Sequence, residues 1–472
     1  MTRRDDPLEK APGLVRGLGA WATAAIVVGT MIGTGIFLKP AEMAQAAGAS
    51  GVVFAAWIVG GILSMFGALS YAELGAAMPE AGGEYAYLSR GFSPVWGYLF
   101  GWMHSIVGRP ASAASIAAGL LRFLGFLFPV VATPIFTLNF ASPFGARHTS
   151  HFVFTWAQPL AAVALIVMTF VNYLGVRLGG RVQVVLTFLK IAAVFLVIGL
   201  GFLLAKGAAG NFHPVWPVHF SWGTMTGFGA ALAAALWAYD GWEDLNLVGS
   251  EIENPETNIP FALIAGVAFV AVVFVLFSGV CFYALPVSAV AASQHVASDV
   301  FESFAGHGAA LWITLAMVIS ALGTLNSSVL SGARVDYAMA RDGLFFRMAA
   351  KIHPKFRTPG NALVFQCILA SLMSLTGTFE DLTSLFIFST WIFYGLAVCA
   401  LIRLRRTQPQ MPRPYKTWGY PFVPVVFAAG ALALTVAVWI ERPVRSSIGL
   451  GLILLGLPFY AYWRRRSLKP EG

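Results

Sequence analysis

Apolar positions in this chain come in long continuous runs. Gly51–Tyr71, Trp156–Gly175, Phe261–Ala297 and Ala309–Gly332 contain no Asp, Glu, Lys or Arg. A helix rises about 1.5 Å per residue, so about 20 such residues cross the roughly 30 Å of bilayer hydrocarbon. Applied along the chain, this criterion predicts twelve spans near 18–46, 51–77, 94–128, 154–173, 181–205, 224–249, 260–284, 309–333, 361–377, 382–403, 420–440 and 446–463. Short alternating segments of a β-barrel are not what these runs show. The expectation is an all-α membrane protein.

Two spans are interrupted. The first carries Gly29-Thr30-Met31-Ile32-Gly33-Thr34-Gly35 with Pro40 soon after, and the sixth carries Trp237-Ala238-Tyr239-Asp240-Gly241-Trp242-Glu243-Asp244. Each glycine in a helix costs about 1 kcal/mol relative to alanine, and each mid-membrane carboxylate at least about 2.5 kcal/mol. Breaks at matching places in two halves point to a transporter's binding site and to inverted repeats. The predicted division is a cytoplasmic segment at 1–17, a five-helix repeat at 18–205, a second at 224–403, helices 11 and 12 at 420–463, and a basic cytoplasmic tail at 464–472.

Unwinding frees backbone groups that lipid cannot pair. The N-terminal end of a half-helix offers N–H groups and partial positive charge to a carboxylate, while the C-terminal end of the preceding half offers carbonyls to an ammonium. A zwitterionic amino acid matches both. Glycine at Gly33 and Gly35 lets the backbone reach such a ligand, although Gly29 and Gly33 also fit the spacing of close helix packing.

Composition agrees with a membrane protein: 58% of residues are hydrophobic and 11% charged. The net charge of +9 is read from its placement. With the N-terminus inside, the loops after spans 8 and 10, the two ends, Arg90, Arg177 and Arg181 put 22 of the 30 Lys and Arg on one face. The other face holds Lys39, Arg122, Arg147, Lys206, Arg442 and Arg445. The positive-inside rule then places both termini in the cytoplasm, and the first run reads as a retained span. No basic and aromatic stripe on a soluble domain suggests nucleic acid. Cys281, Cys367 and Cys399 lie in apolar runs, and neither a His-x-x-x-His nor a Cys-x-x-Cys pair occurs, so no metal or cofactor is expected.

Several motifs occur in order: GTMIGTGIFLKP in span 1, YAELGAAMPEAGGEYAYL after span 2, GYLFGWMHSIVGRPAS in span 3, RVQVVLTFLK in span 5, WAYDGWEDLN running into EIENPETNIP, and RVDYAMARDG near the end of span 8. Together the chain resembles the amino acid–polyamine–organocation superfamily, and within it the L-type amino-acid transporters. The resemblance implies a LeuT-type fold with a 5+5 inverted repeat, alternating access and amino-acid exchange or uptake. It also implies that Thr34 and Gly35 donate N–H groups to the substrate carboxylate. Met31, Trp237 and Asp240 lie at the ammonium end, with Trp237 an aromatic gate. Lys190 stands where sodium-coupled relatives hold an ion, bridging span 1 to span 8 around Thr324 and Ser328.

Other residues leave choices open. Glu243 occupies a position that is often Asn in relatives, and Asp240 occurs in relatives that take dibasic amino acids and cystine. Small or medium neutral substrates are expected, because two uncompensated buried anions are costly. Arg109 beside Pro110 is a second buried charge whose partner the sequence does not name, and the proline predicts a kink. A proton symporter using Glu243 or Asp244 is the alternative within the fold, and a polytopic membrane enzyme the alternative outside it. The loop at 129–153 has no cysteine, so no disulfide-linked ancillary subunit is expected; the partners are an L-amino acid and the lipid bilayer.

Overall fold

The structure is a computed structural model and describes residues 14–141, 149–205, 207–293, 295–376 and 379–467. Much of the segment at 1–17 and of the tail at 464–472 lies outside the described residues, as do Arg3, Arg4, Lys10, Arg147, Lys206 and Lys469.

Nineteen helices follow in chain order among the described residues. They are α1 (Ala20–Met31), α2 (Gly35–Ala47), α3 (Ser50–Ala77), α4 (Glu84–Gly91), α5 (Pro94–Met103), α6 (Arg109–Leu127) and α7 (Ala157–Tyr173). Next come α8 (Val176–Leu204), α9 (Trp222–Tyr239), α10 (Asp244–Leu247), α11 (Pro255–Ala284), α12 (Val287–Ala292), α13 (Val296–Ala305) and α14 (His307–Arg341). The last are α15 (Gly360–Thr376), α16 (Phe379–Thr407), α17 (Phe422–Glu441), α18 (Pro443–Leu454) and α19 (Gly456–Ser467). Among the described residues, nine helical stretches are long and apolar enough to cross a membrane, and α7 and α15 are shorter apolar helices of 17 residues each.

Span 1 is two helices parted by Ile32-Gly33-Thr34, and span 6 ends α9 at Tyr239 before the short α10 begins at Asp244. Span 3 contains a π-helical turn over His104–Gly108, in which the Arg109 N–H reaches back to the His104 carbonyl. The kink expected from Pro110 is therefore preceded by a wide turn, inside a helix that runs unbroken from Pro94 to Leu127. The segment read as the loop before span 4 holds a pair of strands among its described residues. Strand β1 (Pro134–Ala141) pairs antiparallel with β2 (Thr149–Thr155), with Thr137 opposite Val153. Ile135, Phe136 and Thr137 are strand formers that a search for twenty-residue runs passes over.

Several charges counted with the loops are buried ion pairs in the helical body. The Arg334 guanidinium on α14 grips Glu251 with both arms, Nε to Oε1 at 2.7 Å and Nη2 to Oε2 at 3.1 Å. The Glu251 carbonyl accepts the N–H groups of Gly17 and Leu18 at 3.0 Å each, so one residue ties the entry to α1, the connection after α10, and α14. Glu73 on α3 likewise receives Arg405 Nε at 2.8 Å and the Thr417 N–H at 2.7 Å.

Both side chains of the Glu251–Arg334 pair are at most 1% exposed. Removing one partner strands a charge away from water, a loss of about 3–5 kcal/mol. Glu251→Ala should lower the thermal unfolding midpoint of detergent-solubilised protein well below that of wild type, and Glu251→Gln should lower it less. An unchanged midpoint for Glu251→Ala would show that the pair does not clamp these elements.

Candidate functional site

The break in span 1 exposes two sets of backbone groups. At the end of α1 the carbonyls of Gly29 and Ile32 point toward α8 and α14, where Lys190 Nζ donates to them at 2.7 and 2.9 Å and to Thr324 Oγ1 at 3.2 Å. The Thr324 hydroxyl in turn donates to the Gly29 carbonyl at 3.2 Å, and Ser320 Oγ donates to the Ile32 carbonyl at 3.1 Å. Lys190 is fully buried, and among the described residues no carboxylate pairs with it. Its charge is met by carbonyls.

The start of α2 presents the opposite polarity. Helix geometry leaves the first N–H groups without a carbonyl one turn back, and none of the described hydrogen bonds uses those of Thr34, Gly35 or Ile36. The approach here is close. A methyl group at Gly35 would fall 3.0 Å from the Ala238 Cα and Cβ and 3.1 Å from the Trp237 ring, and one at Gly33 2.8 Å from Thr324 Oγ1. Gly29 packs against α8, where a methyl would lie 2.2 Å from Gln183 Nε2. Packing and exposure of backbone thus divide the glycines between them.

In span 6 the chain leaves α9 at Asp240 and turns through Gly241 at φ +106°. A side chain there would be strained, and its Cβ would lie 2.4 Å from Thr30 Cγ2. This turn separates three carboxylates. Asp244 pairs with Arg109, whose Nη1 reaches Oδ2 at 3.0 Å while Nη2 makes a shorter bond to Oδ1. Glu243 accepts the Gly241 N–H at 3.0 Å and a short bond from the Tyr394 hydroxyl, which also lies 3.2 Å from Asp240 Oδ1.

A cavity of about 50 Å³ lies between the two breaks. Met31, Gly33, Thr34, Gly35, Trp237, Asp240, Glu243, Thr324 and Ser328 line it; Lys190 stands behind the wall, bonded to its backbone. One expected contact differs. Ser328 bonds Arg109 Nη1 at 3.1 Å rather than Lys190. It lies one turn beyond Thr324 on α14, about 6 Å along the axis, which brings it abreast of Arg109.

Arg109, Asp244, Ser112, Ser115, Ile116 and Phe386 also line the cavity. Tyr394, which bonds two of the carboxylates, was not singled out in the sequence. Its one signal is that a tyrosine in an apolar run must pair its hydroxyl when buried. Among the described residues no group of three His, Cys, Asp or Glu is placed to hold a metal ion.

A family model described as amino acid permease matches residues 18–461. The chain belongs to the amino acid permease family. Full-length relatives agree with that membership. The permease is 33% identical to the b(0,+)-type amino acid transporter 1 of Mus musculus, over 98% of this chain and 91% of the relative. It is 32% identical to the serine/threonine exchanger SteT of Bacillus subtilis (strain 168), over 96% of this chain and 98% of the relative. It is 31% identical to the cystine/glutamate transporter of Homo sapiens, over 98% and 87%. The permease is thus a multi-pass membrane protein of a transporter family.

Gly35 supplies a test of the site. A valine there would overpack the contact with Ala238 and Trp237 and crowd the free N–H groups, at about 1–3 kcal/mol. Gly35→Val should weaken amino-acid binding at least about tenfold while the protein still elutes as a folded monodisperse species. Wild-type affinity in a folded Gly35→Val protein, measured by equilibrium binding, would remove this cavity as the binding site.

Proposed function

We propose that the permease exchanges neutral L-amino acids across a cell membrane, independently of sodium, by alternating access around the two broken helices. The proposal rests on the Lys190 ammonium, which bonds Gly29 O, Ile32 O and Thr324 Oγ1 where span 1 unwinds. A covalently held cation there satisfies carbonyls that a mobile ion would otherwise have to satisfy. The substrate carboxylate would meet the N–H groups of Thr34 and Gly35, and its ammonium the carbonyl ends near Met31, Trp237 and Asp240. The names of the relatives support amino-acid transport, and that of the Bacillus subtilis relative supports exchange.

Neutral substrates follow from how the acidic groups are engaged. Arg109 compensates Asp244, and the Gly241 N–H and the single proton of the Tyr394 hydroxyl hold Glu243, which leaves Asp240, 3.2 Å from the same hydroxyl, as the carboxylate free to meet the ammonium common to every amino acid. The hydroxyls of Ser112, Ser115 and Thr34 suit a small polar side chain.

In this scheme the chain crosses the bilayer twelve times: the nine long stretches, α7, α15, and α9 with α10 as one interrupted span. Residues 18–205 and 224–403 form the two inverted repeats of a LeuT-type fold, 420–463 lies outside them, and both termini are cytoplasmic. No disulfide-linked subunit is needed, since 129–153 contains no cysteine.

A proton-coupled symporter is the second reading. It is favoured by Glu243, a buried carboxyl on the cavity wall bonded to a tyrosine hydroxyl. Uptake driven by an imposed pH gradient into vesicles without internal amino acid would select it; dependence on internal amino acid selects exchange.

Two measurements test the main proposal. Exchange in proteoliposomes should be unchanged when sodium is replaced by potassium or choline. Lys190→Ala should impair both binding and turnover, because the carbonyls of Gly29 and Ile32 lose their charged donor and keep only the Thr324 and Ser320 hydroxyls, at about 1.5–3 kcal/mol per hydrogen bond to a charged group, and the loss shifts a conformational equilibrium. Transport that stops without sodium, or normal transport by Lys190→Ala, would overturn the assignment. In competition assays serine or alanine should inhibit more strongly than arginine; the reverse order would rule out neutral specificity.

A further inference from the structure

Lys39 has no part in the scheme above. The sequence reading puts it on the outer face, and in α2 its side chain is only 6% exposed. Its ammonium sits 4.6 Å from the centre of the Trp237 ring and 2.5 Å from Glu42 Oε2. Lys39 follows Gly35 by one helical turn, so both project from the same face of α2. Gly35 gives the Trp237 ring its space, and Lys39 places a cation on it. Glu42, at the other end of the pair, is 58% exposed.

A tryptophan face beside carboxylates is the natural seat for a cationic side chain, since the ring quadrupole attracts an ammonium or guanidinium. Trp237, Asp240 and Glu243 line one cavity and supply that combination. The chain's own ammonium is already on the ring. Lys39 itself is not among the residues that line the cavity. We infer that Lys39 is a specificity-determining residue: its ammonium, held on the Trp237 ring, already takes up the ring's attraction for a cation and repels amino acids with a cationic side chain. This rests on the neutral-substrate proposal and gives its cause. The Lys39 charge is held in place by Glu42, whose carboxylate is largely in solvent and therefore only partly offsets the field at the ring.

The test compares 2,4-diaminobutyrate with homoserine, which have the same chain length and differ in a terminal ammonium against a hydroxyl. Each competes for homo-exchange of labelled serine in proteoliposomes. Wild type should favour homoserine by at least about tenfold. Lys39→Gln and Lys39→Met should shrink that ratio at least about fivefold, and Lys39→Arg, which keeps the charge, should preserve it. Glu42→Gln, at an exposed position that the fold tolerates, unmasks the ammonium and should widen the ratio. A ratio unmoved in Lys39→Gln and Lys39→Met overturns the inference, as does an unmoved ratio in Glu42→Gln should the first two variants fail to fold. A wild type that takes both compounds equally well would instead overturn the neutral-substrate proposal itself.

Discussion

Everything in the centre of this molecule follows from one constraint: a helix broken inside hydrocarbon must find partners for the backbone it exposes. The Lys190 ammonium answers it for the carbonyls of Gly29 and Ile32, with Thr324 and Ser320 adding hydroxyl donors. Because those donors come from α8 and α14, the end of α1 is defined only when three helices are assembled. The N–H side of the same break is left differently. Thr34, Gly35 and Ile36 have no described acceptor, and the cavity opens there. One end of the break is closed by the protein and the other is available to a ligand.

Charge is treated the same way. Asp244, Glu251 and Glu73 each have an arginine, and the pairs join elements distant in the chain: α10 to α6, the connection after α10 to α14, and α3 to α16. Such pairs repay desolvation only when their geometry is good, so they specify one arrangement more than they add stability. Asp240 and Glu243 are the exceptions among the acidic residues of span 6. Their described partners are a tyrosine hydroxyl and a backbone N–H rather than a cation, and they face the cavity.

Most of the architecture was legible because a bilayer imposes a length on each crossing. Both breaks could be placed from Gly33, Gly35 and the carboxylates of span 6, since each breaks a rule that lipid enforces. Family membership was legible from motifs such as WAYDGWEDLN, and the match over residues 18–461 bears it out. Partners were harder. Asp244 lies 135 residues from Arg109, and Tyr394 lies 151 from Glu243, so no local spacing announces either contact. The strand pair at 134–141 and 149–155 was missed because each strand is too short to register as a span. Arg334 reads as a loop charge and Lys39 as a charge of the outer face, because a cation in or beside an apolar run looks solvated until the neighbouring helices are in place.

The wide turn at His104–Gly108 has a consequence for how such a chain can change over generations. A π-turn is an α-helix holding one residue too many. Removing a single residue from this stretch would let the turn relax to ordinary helix with the side chains on either side still facing as they do, because the wide turn already absorbs the extra residue. Arg109, Ser112 and Ser115 would keep their places on the cavity. Taking a residue from the regular helix on either side would instead swing everything beyond it by about 100°. Length is therefore negotiable at the turn and fixed in the regular helix around it.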